Sequence, residues 1–189
     1  MNQCKTQWQK KWLRIDVTAP EMQALATEAE KFCGRWFNNK PDKSLLVIVG
    51  VYGNGKTHTA RAIYKFCSDA AMSAFETQRW GGGKIPSSIF ISWPEAADAF
   101  ADKQFGLMRD ADDNDLGVLD DIGAENDPWK NCKDKLCQIL SRRERKFTVV
   151  TTNIGPANWE TELDGRINDR LMRNSVIVDI SNVPSYATR

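Results

Sequence analysis

Leu45-Leu46-Val47-Ile48-Val49 is an unbroken apolar run that ends at Gly50. It shows no in–out alternation, so it reads as a strand buried on both faces, in the middle of a parallel sheet. Parallel neighbours need crossover connections, and those place helices over both faces. The next residues supply the first crossover. A glycine-rich loop, Gly50-Val51-Tyr52-Gly53-Asn54-Gly55-Lys56-Thr57, leads into a helical stripe of Ala60, Ile63, Phe66, Cys67, Ala70 and Ala74. This helix is expected from Lys56 to about Gln78, broken by Gly81-Gly82-Gly83.

The loop matches GxxxxGK[ST] without a mismatch, in the strand–loop–helix context that gives the pattern its meaning. Glycines let the backbone curl so that successive N–H groups face phosphate oxygens. The lysine adds a point charge at the β- and γ-phosphates, the Thr hydroxyl ligates magnesium, and the helix start favours the same anion. The chain is therefore expected to bind ATP with Mg2+. Gly50, Tyr52, Gly53, Asn54, Gly55, Lys56, Thr57 and His58 form the candidate nucleotide-binding set.

The remaining pattern repeats strand and helix. Thr18-Ala19-Pro20-Glu21 reads as a helix start with Thr18 as cap, and Met22, Leu25, Ala29, Phe32 and Trp36 form its buried stripe. Strands are expected at 88–92, 116–119, 147–151 and 176–180. Helices are expected from Pro94 to Phe100, from Pro128 to Arg145 and over 166–172. This alternation calls for an α/β fold, a parallel five-stranded sheet sandwiched by helices.

Two further stations lie at strand ends, where ligand sites of open parallel sheets gather. Leu116-Gly117-Val118-Leu119 runs straight into Asp120-Asp121; Asp120 is assigned to magnesium and Asp121 to the attacking water, with Glu125 as an alternative for the water. Thr151-Thr152-Asn153 closes the next strand. Asn153 reads as a γ-phosphate or water ligand, or as the start of the turn Asn153-Ile154-Gly155-Pro156. In Gly165-Arg166-Ile167-Asn168-Asp169-Arg170, the two arginines stand four apart on one helical face. On spacing alone they fit a solvated face paired with Asp164 or Asp169 better than a finger for phosphoryl transfer.

Taken together, GNGKTH, LDDIGAE and the GRxxDRL pattern resemble the AAA+ core of the DnaC/DnaI helicase loaders and the related IstB transposition ATPases, over about Ser44 to Asn174. The resemblance implies a P-loop NTPase fold in which Lys56 and Thr57 are Walker A, Asp120 and Asp121 Walker B, Asn153 sensor 1 and Arg170 the arginine finger, with Arg166 the second candidate. It further implies weak ATP hydrolysis stimulated by assembly or DNA, single-stranded DNA binding, a DnaB-type replicative helicase as partner, and head-to-tail self-assembly into a ring or open helix. Residues 1–40 stand where these relatives carry a helicase-binding domain, and are read as a docking element ahead of an ATPase domain at 41–189. Only a few residues follow the last expected strand, a departure from these relatives that leads to an expectation of little or no lid domain, with Arg189 as the sensor 2 candidate. Asp121 stands where some relatives have Glu, which implies slower hydrolysis.

Composition narrows the setting. A formal charge of +1 gives no global pull toward nucleic acid or membrane, so such binding falls to a local patch. No apolar run reaches the roughly 20 residues of a membrane span, and the polar start lacks a secretory stretch. Five cysteines without CxxC spacing and one histidine argue against a zinc site or a disulfide framework, so a cytoplasmic protein with reduced thiols is expected. Arg142-Arg143-Glu144-Arg145-Lys146 reads as a set of cations at a helix C-terminus, with DNA phosphates as the alternative. Trp8, Trp12 and Trp80 are the tryptophans freest to stack on bases, and Gly81–Lys84 the candidate flexible loop. Two competing functions remain: a nucleotide-gated adaptor that does not hydrolyse, and a small-molecule kinase, against which the TTN and DRL segments speak.

Overall fold

The apolar run at 45–49 forms strand β1 (Leu45–Val49), every residue of it buried. The structure is a computed structural model that describes residues 6, 8–76, 85–104, 106–125 and 131–186. β1 pairs in parallel with β4 (Phe147–Thr152) on one side and β5 (Ser175–Asp179) on the other. With β2 (Ser88–Ser92) and β3 (Leu116–Ile122) these make a five-stranded parallel sheet in the order β2-β3-β4-β1-β5. β1 therefore sits inside the sheet, as its lack of alternation requires.

Successive β1 side chains feed opposite faces. Leu46 and Ile48 join one core with helices α1 (Pro20–Phe37) and α2 (Lys56–Glu76). Leu45, Val47 and Val49 join a second core. Helices α3 (Trp93–Ala101), α4 (Gly106–Asp113), α5 (Asn131–Arg142) and α6 (Gly165–Met172) contribute to it, as does the π-helical turn Trp159–Leu163. Met22, Leu25, Ala29, Phe32 and Trp36 are all buried, so the stripe expected of α1 is the stripe it uses.

Three local expectations give way to specific contacts. α1 is capped by Ala19 without a side-chain bond, because the N–H and hydroxyl of Thr18 both turn back to Asp16, in a tight local turn that a nearby carboxylate favours. Trp8 and Trp12 are not free: both pack edge-on against Phe66 of α2, with centroids 5.7 and 5.4 Å away. The stretch leading to α1 enters the first core through Leu13, Ile15 and Val17. α5 ends at Arg142, three residues early, as the chain turns through Arg145 at φ 68° into β4. Gln78, Trp80, Gly81–Lys84 and Pro128 lie outside the described residues.

One helix, α4, was announced by no periodicity. The cationic run 142–146 holds it in place. Arg143 Nη1 donates to the carbonyls of Ala111 (2.6 Å) and Asn114 (2.8 Å), and Lys146 Nζ to that of Asp112 (2.6 Å). Arg142 pairs with the Asp112 carboxylate at 2.5 Å. Cations thus meet the carbonyl end of a helix, where its dipole favours them. Arg143 is buried, and burial lowers its pKa to about 10. Its guanidinium also donates to Thr148 Oγ1 and to the Phe147 carbonyl. Three cations of this run, Arg142, Arg143 and Lys146, therefore serve the carbonyl end of α4 and not only that of their own helix, the one the sequence suggested. Among the described residues, no helix is long and apolar enough to cross a membrane.

Candidate nucleotide site

β1 delivers the chain to the loop at the C-terminal edge of the sheet, and α2 begins at Lys56. Gly53 (φ 76°) and Gly55 (φ 101°) take the left-handed backbone that the curl demands and that a side chain would resist. Lys56 is 5% exposed; its Nζ donates to the Val51 carbonyl at 2.9 Å and to Asn153 Oδ1 at 2.6 Å. Burial pushes the Lys56 pKa down, against the opposing pull of Asp121 and Asp120.

The end of β3 lies alongside. Asp120 is 6% exposed and its Oδ1 accepts from Thr151 (2.7 Å) and Thr57 (3.1 Å). Burial raises its pKa, while the two hydroxyl bonds hold it down. The next residue breaks the ladder: the β3–β4 register shifts between Leu119 and Ile122, and Asp121 has φ 63°. A bulge of this kind re-aims a side chain at a sheet edge. Asp121 N–H donates to Thr151 Oγ1, and its carboxylate accepts from Asn153 Nδ2 at 3.4 Å. One network thus joins Lys56, Thr57, Asp120, Asp121, Thr151 and Asn153 across three strand ends.

Thr57 and Asp120 present a hydroxyl and a carboxylate oxygen 3.1 Å apart. Such hard oxygen donors suit magnesium, which binds through a few protein oxygens and keeps the rest for phosphate and water. The residues fit the ion that the motif implies.

The network opens into a cavity of about 440 Å³ lined by Tyr52, Gly53, Gly55, Lys56, Thr57, His58 and Asp121, together with Arg14, Ile15 and Tyr186. That volume lies within the usual range for small-molecule sites. Gly50 stands under the loop, where an added Cβ would meet Asn54 at 2.4 Å, and Asn54 itself is fully buried. His58 also contacts the Leu13 carbonyl through Nε2. Arg14, Ile15 and Tyr186 were not anticipated. They come from segments far apart in the chain, and no local motif marks them.

Glu125 is not part of the network: its Oε2 accepts from Gly123 N–H at 2.6 Å, closing its own turn. Neither arginine of α6 reaches the cavity. Arg170 donates to Ser141 Oγ (2.9 Å) and Asp169 (3.0 Å) and borders Ser44, Leu45 and Thr148, where the strands begin. β1 separates that edge from the phosphate loop by about 15 Å at ~3.3 Å per residue. Arg166 pairs with Asp134 (2.6 Å) and Asp164 (3.0 Å); the two carboxylates raise its pKa, and the bonds from Arg166 hold Asp164 below the usual carboxylate range. Arg189 lies outside the described residues.

No model of a known protein family matches the sequence, and no curated protein matches it. Solved structures do. The chain superposes on the DnaC helicase loader with TM-score 0.65 and 18% identity, covering 88% of this chain and 94% of that one. For DnaI the values are 0.63 and 19%, covering 87% of each. The fold is that of an AAA+ P-loop domain. The replication initiator DnaA bound to AMPPCP and single-stranded DNA shares it too, at TM-score 0.60 and 16% identity over 80% of this chain. The chain spans 45% of that initiator, and 47% of a DNA replication initiation factor of the same fold.

Proposed function

We propose that this AAA+ chain binds and hydrolyses ATP with Mg2+ and acts in DNA replication as a helicase loader, engaging single-stranded DNA and a DnaB-type helicase. The observation that carries the reading is the network at the strand ends, where Lys56, Asp120, Asp121 and Asn153 are bonded or adjacent around the phosphate loop. A binding module needs the loop and its lysine. The Asp121–Asn153 pair beside them is what hydrolysis adds.

In this reading the loop N–H groups and Lys56 hold the β- and γ-phosphates, and Lys56 exchanges Asn153 Oδ1 for phosphate oxygen. That exchange frees the Asn153 amide to orient the γ-phosphate and the attacking water. Asp121 accepts the proton of that water. Thr57 and Asp120 hold the ion, which neutralises charge on the phosphates when bound. Arg170, set at the opposite edge of the sheet, serves the site of a neighbouring copy, the head-to-tail contact that builds rings or open helices. Docking by residues 1–40 falls to their outward side, including Lys10 and Lys11, since Leu13, Ile15 and Val17 are turned inward. The fold shared with DnaC, DnaI and DNA-bound DnaA supports the choice of process.

The test is ATP hydrolysis against protein concentration, with and without single-stranded DNA. A rate per subunit that climbs with both supports a shared-site loader. A rate indifferent to both sinks the loader reading.

A further inference from the structure

We propose that Ser181–Tyr186, the segment following β5, is a positioning strap that presets the phosphate loop for nucleotide, with Asn54 and Tyr186 as its two fastenings. The proposal rests on the nucleotide-binding reading above.

The loop is poor in constraint by composition. Its glycines have more backbone freedom to lose on ordering than any other residue, and that loss opposes binding unless something else fixes the loop first. The strap is built to do so. Asn54, fully buried, donates from Nδ2 to the Ile180 carbonyl at 2.9 Å, where β5 gives way to the strap. Six residues on, Tyr186 N–H donates to the Gly53 carbonyl at 2.9 Å. Between these ends, Val183 is buried in the core beneath α1 and α2, and its N–H closes a turn onto Ile180.

Side chains complete the fit. Ser185 Oγ lies 2.3 Å from where a Cβ on Gly53 would stand, and the Tyr186 ring 3.2 Å from that of Gly55. The two glycines with left-handed backbone are therefore each covered by a strap residue. Tyr186 also lines the nucleotide cavity. Anything that moves the strap changes the curl of the loop, and nucleotide that reshapes the loop moves the strap. The coupling holds in both directions, as linkage requires.

The experiment compares the full chain with Tyr186→Ala, Tyr186→Phe and Asn54→Ala. It measures the Kd for ATP and for ADP by calorimetry, and amide exchange of residues 52–56 without nucleotide. Asn54→Ala removes the side-chain fastening to the Ile180 carbonyl and is expected to raise both Kd values about five- to tenfold, the worth of one net hydrogen bond, and to speed loop exchange by a similar factor. Tyr186→Ala keeps the backbone bond to Gly53 but takes the ring away from Gly55, and is expected to shift Kd and loop exchange in the same direction. Tyr186→Phe keeps the ring over Gly55 and the backbone bond, so it is expected to retain more affinity than Tyr186→Ala. A segment serving the fold alone would lower the melting temperature and leave Kd and loop exchange unchanged; that result overturns the proposal. If the wild type binds no ATP, the nucleotide reading falls and the strap falls with it. If the wild type binds and Tyr186→Ala and Asn54→Ala bind equally well, only the strap falls.

Discussion

Lys56 Nζ donates to Asn153 Oδ1 at 2.6 Å, so the cation of the phosphate loop is tethered to the end of β4. Asn153 in turn reaches the Asp121 carboxylate through Nδ2. In the proposed reading, a triphosphate entering the loop would compete with Asn153 for the lysine, and a released Asn153 would stand beside the acid assigned to the water.

Replacing Asn153 therefore separates binding from chemistry. Asn153→Ala removes a competitor for Lys56, so the Kd for ATP is expected to stay level or tighten slightly. Hydrolysis loses a hydrogen bond to a charged group and is expected to fall by roughly tenfold to a hundredfold. Titration calorimetry and steady-state turnover check the two halves. A variant that loses ATP binding as badly as turnover would make Asn153 a part of the binding pocket instead.

Asp120 gives a prediction with the sign of pH in it. Burial raises its folded pKa above the usual 3.8, so near neutrality the protein carries a buried carboxylate at a cost. Protons bind the folded state more tightly than the unfolded one in this window. Stability from this group is thus fully present below about the unfolded value and lost as pH rises through the raised folded value. Asp120→Asn removes the dependence. In urea melts without nucleotide it is expected to match the wild type at acid pH and exceed it at pH 7, while the magnesium dependence of ATP binding disappears. A variant less stable than the wild type at pH 7 would show that the Thr151 and Thr57 bonds outweigh burial.

Gly117 and Arg143 give a purely structural test. A Cβ at Gly117 would stand 2.6 Å from Arg143 Cζ, and the guanidinium is held by bonds to Ala111, Asn114, Phe147 and Thr148. The guanidinium has no direction in which to retreat without breaking one of them. Gly117→Ala is expected to cost on the order of 2–3 kcal/mol, as overpacking of a filled core does. For a domain of this size that lowers Tm by about 5–10 °C. Calorimetric melting checks it, and an unchanged Tm would mean that Arg143 gives way freely.

How far the sequence could be read follows from how local each signal is. β1, the loop and α2 were legible because burial on both faces, left-handed glycines and a helix start all fall within one stretch of chain. Asp120, Asp121 and Asn153 were legible because strand ends of a parallel sheet share an edge. α4 was not, because what holds it is a set of cations from 142–146 gripping its carbonyls, with only Ala111 among its described side chains buried in the core. Arg14, Ile15 and Tyr186 were not, because opposite ends of the chain meet at one cavity. Trp8 and Trp12 looked free because their partner, Phe66, lies more than fifty residues away.

Arg170 carries the prediction that bears on assembly. It is half-buried, fastened to Ser141 and Asp169, and set at the edge of the sheet away from its own loop. Its removal is therefore expected to leave ATP affinity unchanged. If it completes the site of a neighbour, Arg170→Ala alone loses assembly-stimulated hydrolysis by at least tenfold, within what a missing finger costs. Lys56→Ala alone is inactive for the opposite reason, since its own loop is broken while its arginine is intact. Mixing equal amounts restores sites that pair an intact loop with an intact arginine. Random head-to-tail pairing makes these about a quarter of all sites, so roughly a quarter of the wild-type rate returns. A mixture no more active than its parts would show that Arg170 does not act across a subunit boundary, and its bonds to Ser141 and Asp169 would then be its whole role.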